Sequence, residues 1–161
     1  MTIRVDLKYR PAYAQEVSFS DLRKHVQLVA ESARLGKNLF KDCLGFALRM
    51  EDAQDTGLHS HWVFFFDGGK RYRDLHIAKQ ICDWWCTEVT QGKGLAWNVN
   101  QYWRQQIDDG KVAKEDYDLG MVDRRDKNGF WGWPVPCAIF ATLDRMCCTS
   151  PARMREHFGL R

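Results

Sequence analysis

The chain lacks a long apolar run, a secretory leader, paired-cysteine zinc spacings and a strong net charge. No stretch approaches the roughly 20 apolar residues that span a bilayer, so no membrane-embedded helix is expected. The start, Met1-Thr2-Ile3-Arg4-Val5-Asp6-Leu7-Lys8, carries a charge at every second position from Arg4 onward and does not read as a signal peptide. Six cysteines, at positions 43, 82, 86, 137, 147 and 148, include no C-x-x-C pair. A structural zinc site is therefore not expected, and free thiols in a reducing cytoplasm are. A net charge of +3 gives only a slight bias toward anionic partners, which leaves anion binding to local basic runs.

What is present is aromatic weight: seven Trp, nine Phe and five Tyr in 161 residues, enough for an aromatic-rich core or an aromatic binding face. A chain of this length reads as one domain over residues 1–161, burying about two-thirds of its unfolded surface. Its centre is Gly57-Leu58-His59-Ser60-His61-Trp62-Val63-Phe64-Phe65-Phe66-Asp67-Gly68-Gly69, a β-branched and aromatic run flanked by glycine. Successive side chains of a strand alternate between faces, so His59 and His61 share one face with Val63 and Phe65. Two imidazoles so placed can grip one divalent ion. The same pattern also fits two half-exposed histidines near a strand end.

In chain order, Ile3, Val5, Leu7 and Tyr9 alternate with Arg4, Asp6 and Lys8, predicting a half-buried strand that Pro11 ends. Ser18-Phe19-Ser20-Asp21 resembles a capping box. Phe19, Leu22, Val26, Val29 and Ala33 then form one helical stripe up to Gly36, with His25 on its surface flank. Leu44, Phe46, Leu48 and Met50 mark a second strand, joined to the central one by a hairpin over residues 52–57. Glu51 set opposite His59 would supply a third ligand; a one-residue slip would turn it away. Lys70-Arg71-Tyr72-Arg73 is a basic turn suited to a phosphate backbone or to plain solvation. Asp74 is expected to cap the next helix, with Leu75, Ala78, Cys82, Trp85 and Val89 toward the core and Ile77, Ile81 and Trp84 widening that stripe. After Gly92-Lys93-Gly94, residues 95–99 predict a strand, 100–116 a polar insertion, 117–122 a last strand, and 137–146 and the segment after Ser150-Pro151 further helices. The order β-α-β-β-α-β-β-α predicts an α+β domain, an antiparallel sheet of about five strands with helices packed on it.

Leu58 to Gly68 resembles the HUH motif of rolling-circle replication initiators, in particular the inovirus-type replication protein family, whose domain is also called YagK/YfjJ C-terminal. Arg4-Val5-Asp6-Leu7 is similar to that family's opening strand, and Lys70-Arg71 with Asp74 and Ile77-Ala78-Lys79 to its post-motif turn and helix. Thr90-Gln91-Gly92-Lys93-Gly94, Asn98-Val99-Asn100 and Gly120-Met121-Val122 resemble later segments. The resemblance implies an HUH/ferredoxin-like (RRM-like) fold, and Mg²⁺ or Mn²⁺ held by His59, His61 and a further polar residue, for which Glu51 is the candidate. It also implies single-stranded DNA as substrate, with Lys70, Arg71, Arg73 and Lys93 as backbone contacts, and a tyrosine that forms a 5′-phosphotyrosine link.

The chain departs from that pattern at two places. Ser60 is polar where the motif carries a bulky apolar residue, and Phe140 and Leu143 stand where the family has the nucleophilic tyrosine and a lysine. Tyr102 and Tyr117 are the tyrosines of the later half that could replace it. Two readings follow: a metal-dependent nickase of a phage or mobile element, or a degenerate HUH-fold protein that binds and inhibits a host replication or defence complex, in the manner of anti-CRISPR proteins.

Overall fold

The computed structural model describes residues 1–114 and 119–121. These form an α+β unit whose sheet has four antiparallel strands in the order β2-β3-β1-β4: β1 Thr2–Tyr9, β2 Cys43–Ala53, β3 Gly57–Phe66 and β4 Gly94–Asn98. Helix α1 (Phe19–Arg34) links β1 to β2, and α2 (Asp74–Trp84), continued by a π-helical turn Trp85–Val89, links β3 to β4. Helix α3 (Val99–Asp108) follows β4 directly. β1 and β2 run parallel with β3 between them, and β3 and β4 parallel with β1 between them, so each of the first two helices spans a split pair.

Local chemistry sets the element ends. The Ser18 hydroxyl and the Asp21 carboxylate cap each other's backbone N–H groups, a capping box with aspartate in the acidic place. Helix α1 ends in a Schellman turn: Gly36 adopts φ +60°, its N–H reaches the Ala33 carbonyl and that of Lys37 the Ser32 carbonyl. Leu22, Val26, Val29 and Ala33 are buried as the stripe predicts, but Phe19, at the first turn, is exposed. His25 is not a plain surface residue, since its Nδ1 lies 2.8 Å from the Tyr9 hydroxyl and its ring packs edge-on to Trp85.

Even-numbered residues of β3 point into the core with odd-numbered ones of β1. Trp62 and Phe64 stack nearly parallel, with Phe40 and Phe46 around them. This explains the unusual Ser60. It is fully buried, and its hydroxyl accepts the Trp62 indole N–H at 2.9 Å while lying 3.4 Å from the Leu7 carbonyl. An indole sunk in a core needs an acceptor, and a bulky apolar residue at position 60 would leave it none.

Three expectations are corrected, and a fourth lies largely outside the described residues. Asp74 does not cap α2: it is the first helical residue, buried, and accepts from Asn100 Nδ2 at 3.1 Å. Of the expected core side of that helix, Ile77, Ala78, Ile81, Trp85 and Val89 are buried, while Leu75, Cys82 and Trp84 are only half-buried. The segment read as a polar insertion opens with α3, capped by the Asn98 side chain accepting from the Gln101 N–H. Of the expected fifth strand, only Leu119–Met121 are described, and they contribute a single antiparallel bridge, Gly120 to Thr2.

Beyond the reach of β4, the outer edge of β1 is closed by that bridge and by Asn100, whose side chain accepts from the Arg4 N–H (2.8 Å) and donates to the Thr2 carbonyl (3.1 Å). At the other end Gly94 passes so close to Thr90 and Trp85 that a methyl group there would collide with both.

Replacing Ser60 by Ala is expected to cost about 1–3 kcal/mol in urea unfolding, because it strands the Trp62 N–H. In a Trp62→Phe background the same change is expected to cost much less. Equal costs in both backgrounds would show that the hydroxyl is not serving the indole.

Candidate metal centre

The face of the sheet opposite α1 and α2 carries the histidines. In the β2–β3 register Glu51 stands opposite His59 and Arg49 opposite His61; in the β1–β3 register Asp6 stands opposite His61 and Lys8 opposite His59. Facing residues of antiparallel strands point to the same side, so the pairings bring Glu51, His59 and His61 together. Glu51 Oε2 lies 3.2 Å from His59 Nε2 and 3.4 Å from His61 Nε2, and the two rings stand perpendicular at 4.8 Å between centroids.

Each remaining ring nitrogen is tied down. His59 Nδ1 is 2.8 Å from the Gly57 carbonyl, which can only accept, so that nitrogen carries the proton. His61 Nδ1 is 2.8 Å from Asp6 Oδ1. Both bonds leave Nε2 as the lone-pair nitrogen when the ring is neutral, and both lone pairs converge on the Glu51 carboxylate. Second bonds of this kind orient histidine ligands in metal sites. Glu51 divides its own oxygens: Arg49 Nε holds Oε1 at 2.6 Å and the histidines face Oε2. Behind Asp6 stands Arg4, buried, its Nε 3.6 Å from Oδ1 and without a hydrogen-bond partner among the described residues.

The nitrogen–oxygen separations suit an ion. Ligand atoms each about 2.1 Å from one cation lie about 3.0 Å apart at octahedral angles and about 3.4 Å apart at the tetrahedral angle. The two nitrogen–oxygen distances fall within or at the edge of that window; the three ligand atoms lie within 4.8 Å of one another, so the two imidazole nitrogens would close to about 4.2 Å or less on taking up an ion.

Burial pulls the His61 imidazole toward a lower pKa, but the hydrogen bond to Asp6 and the charges of Asp6 and Glu51 outweigh it and hold the pKa above the ordinary histidine value. For Glu51, burial pushes upward while His61, Arg49 and His59 pull harder the other way, so its carboxyl titrates below the usual range. With His61 protonated, the cluster holds together electrostatically before any ion arrives, and an ion would take the place of that proton.

The other expected site residues are dispersed. Lys70, Arg71 and Arg73 lie past the end of β3, five residues beyond His61, or about 17 Å along a strand. Lys70 pairs with Asp42 and Asp67, Arg71 donates to the Leu39 carbonyl and sits over Phe66, and Arg73 lies over the Tyr72 ring. Lys93 pairs with Glu16 and covers Tyr13; the Lys93 carbonyl receives the Arg10 N–H, which puts Lys93 at the His59 end of the sheet. Tyr102, on α3, packs at 5.6 Å against both Trp97 and Trp103. Trp97 stands opposite Asp6, so Tyr102 is linked to the cluster through two intervening residues. Tyr117, Phe140 and Leu143 lie outside the described residues.

Asp6, Arg4 and Arg49 were not singled out as site residues in the sequence. The signal for Asp6 was available: the alternation that puts Val5 and Leu7 in the core turns Asp6 to the face where His61 must lie if β1 pairs with β3. Comparison with protein-family models, curated proteins and solved structures finds no match for this chain.

Asp6→Ala is expected to lower Mn²⁺ affinity about ten- to hundredfold in calorimetric titration, since it releases the His61 ring. In the metal-free protein the same change is expected to drop the His61 pKa, because burial remains and its counter-charge is gone; NMR titration of the ring reads this directly. The sign for stability follows. With its folded value raised, His61 stabilises the metal-free fold below pH about 6.5, and that contribution fades as pH rises through the folded value.

Proposed function

We propose that the protein is a metal-dependent, single-stranded-DNA-processing protein of the HUH rolling-circle initiator type, from a phage or mobile element. The observation that carries the reading is the convergence of His59 Nε2 and His61 Nε2 on Glu51 Oε2, with both Nδ1 atoms already committed. The β-α-β-β-α-β order and the β2-β3-β1-β4 antiparallel sheet support a ferredoxin-like fold beneath it.

His59, His61 and Glu51 would hold the cation, and a divalent ion there supplies positive charge to a scissile phosphate. Two imidazoles and one carboxylate favour Mn²⁺ over Mg²⁺, which prefers an all-oxygen shell. Asp6 and the Gly57 carbonyl hold the rings in orientation, and Arg49 keeps one carboxylate oxygen from turning away. For strand cleavage, the tyrosine on offer at this face among the described residues is Tyr102; Tyr117, the other candidate, lies outside them. Tyr9 is buried on the helix side, and Tyr72 lies in the turn past the far end of β3. Attack by the Tyr102 hydroxyl oxygen on phosphorus forms the phosphotyrosine bond and breaks the bond to the 3′ oxygen, which takes up a proton and leaves as a 3′-hydroxyl.

The test is incubation of purified protein with a random-sequence pool of labelled single-stranded DNA and Mn²⁺, resolved on denaturing gels. Cleavage is expected with the wild type, is expected to fall at least a hundredfold in His59→Ala/His61→Ala, and the protein–DNA adduct is expected to vanish in Tyr102→Phe. Intact DNA under all metals, together with no calorimetric Mn²⁺ binding, would remove the proposal.

A further inference from the structure

We infer that Trp97, edged by the Tyr102 ring, is a base-stacking platform that holds a nucleotide neighbouring the one over the metal centre; this rests on the single-stranded DNA reading above, in which Tyr102 meets the backbone through its hydroxyl and Trp97 takes the base face. The residues facing one another across the sheet form a continuous row, Arg49, His61, Asp6 and Trp97, one from each strand. A second row beside it runs Glu51, His59, Lys8 and Leu95. Trp97 is thus on the metal face, two strand spacings from His61, or about 10 Å.

Alternation along β4 leaves Trp97 no part in the core. Ala96 packs against the core cluster, while Leu95 and Trp97 turn outward and are 39% and 50% exposed. Tyr102 rises from the first turns of α3 beside Trp97, 41% exposed, with the two rings tilted at 51°. Single exposed apolar residues are ordinary, but three adjoining ones that share a face with a cation-binding cluster mark a surface that takes a ligand.

The ligand is identified by what lies between the rings and the histidines. Lys8 sits between His59 and Leu95, and Arg10 follows at the end of the strand, exposed and held through Nε to the Gly94 carbonyl at 3.1 Å. Aromatic faces set among cations, beside a centre that seeks a phosphate, fit a chain of alternating bases and phosphates. The bases must be unpaired, because a duplex keeps its base faces stacked on one another.

The full chain is titrated by fluorescence anisotropy with labelled oligo(dT) and with an abasic oligonucleotide of equal length, which carries the same charge without bases. The wild type is expected to prefer oligo(dT) about tenfold. Trp97→Ala is expected to erase that preference while leaving abasic affinity unchanged; Trp97→Phe and Tyr102→Phe, which keep a ring, are expected to retain most of it. Thermal melts of each variant confirm the fold. Equal wild-type affinity for the two oligonucleotides, or undiminished preference in Trp97→Ala, overturns the platform. So does a parallel loss on both oligonucleotides, or Trp97-dependent self-association in sedimentation without base preference. Mn²⁺ titration of wild type and His59→Ala/His61→Ala keeps the two readings apart: intact metal binding without base preference removes the platform alone, and base preference without metal binding removes the metal chemistry alone.

Discussion

The pairing of β3 with a strand on each side is the constraint from which the rest follows. β2 on one flank delivers Glu51 and Arg49, and β1 on the other delivers Asp6 and Arg4. A slip of one residue in either pairing would turn the partner's whole set to the opposite face. What prevents a slip is the core: Trp62, Phe64 and Phe66 are fully buried on the helix side, and every one of them would be expelled. The apolar half of the strand thus fixes the position of its polar half, and the placement of the cluster is a by-product of packing that has nothing to do with metal.

Much of this was legible in the residues. The two-residue period of β1 and β3, the capping box at Ser18, the break at Gly36 and the hairpin before Gly57 each have a local physical cause, and each is where the pattern put it. Glu51 opposite His59 was legible too, because a short hairpin allows few registers. Two kinds of feature were hidden. One is long-range pairing: nothing local says that β1 lies beside β3, so the bond from Asp6 to His61, 55 residues apart, had no signature of its own. The other is polar residues with structural work. Asp74 read as a helix cap and Asn100 as part of an insertion, yet the two bond each other and close the outer edge of β1.

The basic turn shows the same dependence on the fold. Lys70-Arg71-Tyr72-Arg73 has the composition of a phosphate-binding loop, but Lys70 and Arg71 are occupied with Asp42, Asp67 and the Leu39 carbonyl, neighbours that only the fold supplies. It also lies at the wrong end of β3. On the proposed reading, a strand of DNA would cross the sheet from the histidines toward β4 rather than run along β3. In that other direction the described residues place the buried apolar pair Val63 and Ala47, with Phe65 against them.

The two arginines beside the cluster bear on how an ion and a phosphate would be taken up together. Arg49 and Arg4 balance Glu51 and Asp6, so the cluster with neutral histidines carries no net charge, and an arriving dication meets two fixed cations on the same face. That repulsion weakens binding of the ion alone. A phosphate alongside offsets it, because one anion then faces the ion and the guanidinium groups at once. Linkage makes the effect mutual: whatever the phosphate adds to the affinity of the ion, the ion adds to that of the phosphate. On the proposed reading, such a centre would hold an ion most firmly with a phosphate bound: the direct attraction between the two would set the coupling, and the arginines would weaken the ion's binding on its own.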